Sequence, residues 1–242
     1  MTQAWIGFAG GLIAALVSAV VALRQSRMAE RLARLNSALE TEVHRRTALI
    51  DRELHAEEVL TRYREPLAAA AFDLQSRLYN ILELDFFGKF GGAHPRAEEA
   101  LRTTLFRLAQ YFGWTEILRR DIQFLSFPEA DETRHVAELQ AEIAKRFLTD
   151  QYGPALMIWS DEQRAIGERM IVEEHGKVLC MGYARFRDAC DDTFAPWCER
   201  LRSEVTEESA RDRVREVQHL LCDLVETLDR HRVRYTRDLE RA

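Results

Sequence analysis

Residues 4–23 read AWIGFAGGLIAALVSAVVAL, twenty positions without a charged side chain, opening a chain of 242 residues. At 1.5 Å rise per residue such a helix is about 30 Å long, the thickness of a bilayer's hydrocarbon core. The segment is therefore predicted to be a single transmembrane helix, with residues 1–23 as the anchor. Val20, Val21 and Ala22 would make a cleavage site for a secretory leader, but Met1, Thr2 and Gln3 supply no basic region ahead of the apolar run. Arg24, Arg27, Arg31 and Arg34 crowd one end of the span and nothing basic stands at the other. The positive-inside bias then places the N-terminus outside and everything after residue 23 in the cytoplasm. The same arginines would meet anionic headgroups, each contact contributing about 1 kcal/mol. Gly7 and Gly11, followed by Ala15 and Ala19, form a small-residue stripe of the kind that lets two membrane helices approach closely.

Residues 24–64 contain no Gly or Pro and are rich in Ala, Leu, Glu and Arg, the composition of a long helical stalk. Met28, Leu32, Leu35 and Leu39 follow the 4-3-4 spacing of a coiled-coil seam, and the series resumes at Val43, Ile50 and Leu54. A strict heptad would put Glu42 and Arg46 in the seam, whereas a four-residue step to Val43 and Thr47 keeps it mostly apolar. The stripe suits self-association; its rival is a lone helix folding back on the distal domain.

Pro66 fits the first turn of a helix better than an interior, so a new or kinked helix is expected near Arg64, opening a compact domain of several helices, residues 65–242. Its opening helix carries Leu67, Leu74, Leu78 and Ile81 on one side and Phe72, Tyr79 and Phe86 on another, with a polar stripe of Asp73, Arg77 and Asn80 between. The stripe is either an internal network orienting neighbouring helices or a ligand-facing cluster, with Arg119, Arg120 and Arg164 as further ligand or partner candidates. The run from Phe86 to Gly92, three glycines among aromatics, reads as a loop whose apolar load tucks under the fold or dips into a membrane interface. Two helices follow, 96–112 and 114–125, with a kink or break at Gly113 and a stop at Phe127 and Pro128; another spans 132–147. After a turn at Tyr152, Gly153 and Pro154, Ala155 to Trp159 is apolar and suits extended chain. Ser160 and Gln163 form a capping box opening a helix to about Glu174, closed by Gly176. Gly167 within it calls for a close helix contact. Lys177 to Tyr183 suits a strand or a buried helix, and helices at 194–204 and 210–228 complete an all-α domain.

Chemistry is sparse. The net charge is −6 and no basic run follows the juxtamembrane arginines, which argues against nucleic acid. Phosphate-cradling, dinucleotide, zinc-hydrolase and serine-elbow motifs are missing, so no catalytic residue and no cofactor is expected. His219 and Cys222, three apart, come nearest to a metal pair, and no second pair completes it. Cys180, Cys190, Cys198 and Cys222 show no C-x-x-C spacing and read as reduced thiols.

The segments Asp73 to Ile81, Gln110 to Trp114 and Arg164 to Glu168 resemble a bacterial family of single-span membrane proteins with a helical cytoplasmic domain. That resemblance implies no activity, substrate or cofactor. The expectation is a membrane-anchored interaction protein or scaffold that self-associates through span and stalk, touching membrane lipids and a protein partner. The alternative is a small-molecule sensor or helical enzyme built on the polar cluster.

Overall fold

The computed structural model describes residues 2–122, 131–229, 234, 235 and 239–242. Its chain is mostly helical: α1 (Thr2–Glu83), α2 (Phe86–Phe90), α3 (Ala97–Ile122), α4 (Asp131–Leu148), α5 (Ser160–Met170), α6 (Tyr183–Ala189), α7 (Ala195–Glu204) and α8 (Arg211–Leu228). Strands β1 (Ile171–Glu174) and β2 (Lys177–Cys180) stand between α5 and α6. Two compact units result, residues 1–51 and 52–242.

In the first unit every backbone from Thr2 onward is helical. The side chains of residues 1–23 lie outside the described residues, and so do the packing roles expected of Gly7, Gly11, Ala15 and Ala19. Among the described residues no helix is long and apolar enough to cross a membrane.

The second unit gathers its core from α1, α3, α4, α5 and α8. Leu60, Leu67, Leu74 and Leu82 of α1 are buried with Leu105, Phe112 and Ile117 of α3, Ile143 and Phe147 of α4, and Val217, Leu221 and Leu224 of α8. Helix α1 is tied to both flanking helices. Tyr63 donates to Asp121 at 2.6 Å, Arg107 donates to the Asp73 carbonyl at 3.0 Å, and the Gln218 amide of α8 donates to Gln75 at 3.1 Å. On its second apolar side Phe72 meets Tyr235, ring centroids 5.2 Å apart.

Pro66 does not begin a helix: α1 runs through it. Proline removes one backbone donor, yet Leu60 and Tyr63 before it and Leu67 and Ala68 after it are all buried, and that packing carries the helix across the gap. Gly113 likewise breaks nothing, because α3 is continuous. A β-carbon on Gly113 would stand 2.7 Å from Cys180 Sγ and 2.8 Å from Met170 Cβ; one on Gly167 would stand 2.6 Å from the Phe112 carbonyl oxygen. The two glycines are where α3 and α5 with its hairpin come together, as expected at Gly167 and unforeseen at Gly113.

Helix α5 ends four residues early. Ile171–Glu174 pairs antiparallel with Lys177–Cys180, Ile171 opposite Cys180 and Glu174 opposite Lys177. His175 (φ 53) and Gly176 (φ 72) both take positive φ, the two-residue turn whose twist matches a hairpin. The domain is thus mostly helical, in keeping with the all-α expectation, with one short hairpin set between α5 and α6. The α5 cap is displaced by one: Trp159 N–H donates to Glu162 at 2.9 Å, while Gln163 is buried and its amide donates to the Ile158 and Ala144 carbonyls. Ala155 to Trp159 is a turn and coil rather than a strand. The run Phe86–Phe90 is a short helix with Phe87 packed on the core, and α6, which sequence periodicity did not reveal, precedes α7. The expected stop at Phe127 and Pro128 lies outside the described residues.

Candidate functional site

Asp73, Arg77 and Asn80 share a face of α1 but do not form one cluster. Asp73 is exposed and Asn80 half-buried. Arg77 is buried, donates to Thr104 Oγ1 at 3.3 Å and lays its guanidinium 3.9 Å from the centroid of the Phe86 ring. Its Nε finds no acceptor among the described residues. Burial, with the Arg107 guanidinium nearby, pushes Arg77 down to about 10. A guanidinium stacked on an aromatic face is a packing solution for a desolvated cation.

Arg119 and Arg120 converge instead on Glu116, which is buried. Arg119 reaches it at 2.7 Å and Arg120 at 2.8 Å, and Arg120 also meets Glu168 of α5 at 3.1 Å. Burial alone would raise the Glu116 carboxyl, but the bonds from the two arginines outweigh it and hold the group below its ordinary range. Arg164 stands exposed, 3.9 Å from Asp161. The candidates therefore divide into a stacked cation, a closed ion cluster and a surface residue.

A hollow of about 410 Å³ lies elsewhere, between the end of α1, α2 and the approach to α8. Leu82, Asp85, Phe87, Glu208 and Arg211 are among its walls, and none of Asp73, Arg77, Asn80, Arg119, Arg120 and Arg164 lines it. Arg211 is occupied there, donating to the Leu82 carbonyl at 2.8 Å and pairing with Glu208 at 3.3 Å. His219 and Cys222 do not face a shared metal position: the His219 ring meets the Ala242 carbonyl and Cys222 lies 3.3 Å from the Gln218 amide. Among the described residues no three His, Cys, Asp or Glu side chains converge as metal ligands would.

A different feature stands out in the first unit. Met28, Leu32, Leu35, Leu39 and Val43 are 62%, 55%, 60%, 62% and 59% exposed, an unbroken apolar stripe on a helix. Arg24, Arg27, Arg31 and Arg34 are exposed on the same helix. Beyond the stripe, Glu42 accepts from Arg45 and Arg46 at 3.1 and 2.8 Å, a polar clasp at the point where the heptad slips.

One residue that the sequence did not single out is Arg213. It is fully buried in α8 and donates to the carbonyls of Ala155, Arg146, Phe147, Thr149 and Gly153 at 2.6–3.2 Å. These include the Arg146 and Phe147 carbonyls in the last turn of α4, the second of which also accepts from Ile158 N–H at 2.9 Å, so the cation both caps that helix and fixes the loop after it. No family model matches the chain, nor does any curated protein or solved structure.

Proposed function

We propose that this protein is a membrane-anchored helical scaffold whose copies associate through the stalk. The observation that carries the proposal is the exposed stripe from Met28 to Val43. Fully burying such a side chain is worth about 2 kcal/mol, and these retain more than half their exposure, so each contributes on the order of 1 kcal/mol when a second stripe covers it. Across two copies that is roughly 10 kcal/mol, comparable with the ~4–15 kcal/mol that association costs. A stalk pairing alone is then marginal. Confinement to a bilayer raises effective concentration and tips the balance, which gives the uncharged span of residues 4–23 and the arginines after it a part in the same function.

The sensor or enzyme reading needs convergent polar groups facing open space, and the polar candidates are instead stacked, paired or on the surface. The scaffold reading asks nothing of them. Its test is co-purification from membranes of two full-length copies carrying different tags. Wild-type copies are expected to retain each other, while Leu32→Glu with Leu39→Glu, which puts four carboxylates into the seam of a pair, should abolish retention. Equal retention by wild type and variant would refute association through the stripe.

A further inference from the structure

Cys190 and Cys198 are brought together by the turn between α6 and α7, their sulfurs 3.1 Å apart and both side chains buried. The other thiols stand apart, Cys180 against the Gln110 carbonyl at 3.8 Å and Cys222 beside the Gln218 amide. A disulfide needs an S–S distance near 2.05 Å, so closure asks for a shift of about 1 Å. Around the pair runs an ion ring: Arg202 meets Glu98 at 2.7 Å and Asp191 at 3.2 Å, and Arg102 meets the same two carboxylates at 2.9 and 3.1 Å. Cys198, with Phe186, Phe194, Trp197 and Leu201, also lines a hollow of about 10 Å³. That is about the least space that holds one water.

We propose that Cys190 and Cys198 are a peroxide-sensitive dithiol that closes an intramolecular disulfide across the α6–α7 turn. The Cys190 thiolate attacks one peroxide oxygen and the O–O bond breaks. This leaves a sulfenic acid on Cys190 and a hydroxide that takes up a proton to become water. Cys198 sulfur then attacks the Cys190 sulfur, the S–O bond breaks, and the leaving hydroxide takes the Cys198 proton. Two thiols and one peroxide become one disulfide and two waters, the thiols oxidised and the peroxide reduced.

The assignment of roles follows from the surroundings. When Cys190 ionises, the Cys198 S–H donates to it, and that bond, aided by Arg202 and opposed by burial, pulls Cys190 down to about 7. Cys198 is driven strongly upward by its neighbour and by burial, so it stays a thiol until it resolves the sulfenic acid. Burial pushes Cys180 up to about 12 and Cys222 up to about 11, which leaves both in the unreactive form at neutral pH.

The test uses the full-length chain in detergent, treated with stoichiometric hydrogen peroxide and then denatured under acid. The thiol count is expected to fall by two from the four of the reduced chain, with a mass loss of about 2 Da and a disulfide mapped between Cys190 and Cys198. Cys198→Ser should trap the sulfenic acid, so that a dimedone adduct appears on Cys190. Retention of all four thiols by the wild-type chain would overturn the proposal. So would a link through Cys180 or Cys222, or oxidation of Cys190 to the sulfinic acid without a link. The wild-type arm depends on no substitution, so a Cys198→Ser chain that fails to fold leaves the test intact.

Discussion

A methyl group on Gly167 would lie 2.6 Å from a backbone carbonyl oxygen of α3, an atom that cannot rotate away. At an open helical site, glycine to alanine gains about 1 kcal/mol from reduced backbone freedom in the unfolded chain. Overpacking a tight contact costs about 1–3 kcal/mol, so at Gly167 the sign reverses. Gly167→Ala is expected to lower the unfolding free energy by about 1 kcal/mol or more, read from the urea midpoint; a gain would mean that α3 and α5 are not in contact there. Arg213 is the other residue on which much rests. Arg213→Met keeps the bulk and removes the guanidinium's hydrogen bonds to these buried carbonyls, and a loss of about 3 kcal/mol is expected in the same assay. Neither residue advertised its neighbour in the sequence. Gly167 was legible because glycine inside a firm helical pattern needs a reason, whereas Gly113, in an equally apolar stretch, reads as a break until Met170 and Cys180 are seen against it. An arginine in an amphipathic helix reads as surface, and only the incoming ends of α4 and its loop make Arg213 interior.

Between elements, the Glu116 cluster couples α3 to α5 and carries a pH signature. Its carboxyl titrates below its unfolded value of 4.5, so the stabilisation it contributes is complete above that pH and is lost as pH falls through the lower folded value. Glu116→Gln should flatten the acid limb of the stability profile below about pH 4.5 while leaving the slope near neutrality unchanged, as followed by thermal unfolding across pH. An acid limb identical to wild type would show that the cluster does not stabilise the fold. At this scale the long helices were legible from their period, and α4, α7 and α8 stand within a residue or two of their expected bounds. The hairpin was not, because four-residue strands show too little alternation to declare a period, and Gly176 looks the same as a helix stop and as a hairpin turn. Pro66 misled for a related reason: the local cost of proline is visible in the sequence, and the burial of Leu60, Tyr63 and Leu67 that outweighs it is not.

For the whole molecule, the proposal joins an uncharged N-terminal segment, a helix with an open apolar stripe and a helical unit whose charged groups are largely satisfied internally. The proposed orientation, with the distal unit in the cytoplasm, rests on Arg24, Arg27, Arg31 and Arg34. Alkaline phosphatase fused after Ala242 is expected to stay inactive in membrane-retained full-length fusions, because it needs disulfides to fold; high activity would reverse the topology and place the dithiol in an oxidising compartment. Little of the function was legible beyond this, since a stripe read from the sequence does not say whether the same chain covers it. Within the first unit Met28, Leu32, Leu35, Leu39 and Val43 are uncovered, and the central claim is that a second copy covers them. The direct measurement is the protein mass of the detergent-solubilised full-length chain by light scattering coupled to size exclusion, beside the Leu32→Glu, Leu39→Glu variant. The proposal expects wild type at a multiple of the 28.1 kDa chain and the variant shifted toward a single chain. Wild type at one chain mass, at concentrations above those found in a membrane, would contradict it.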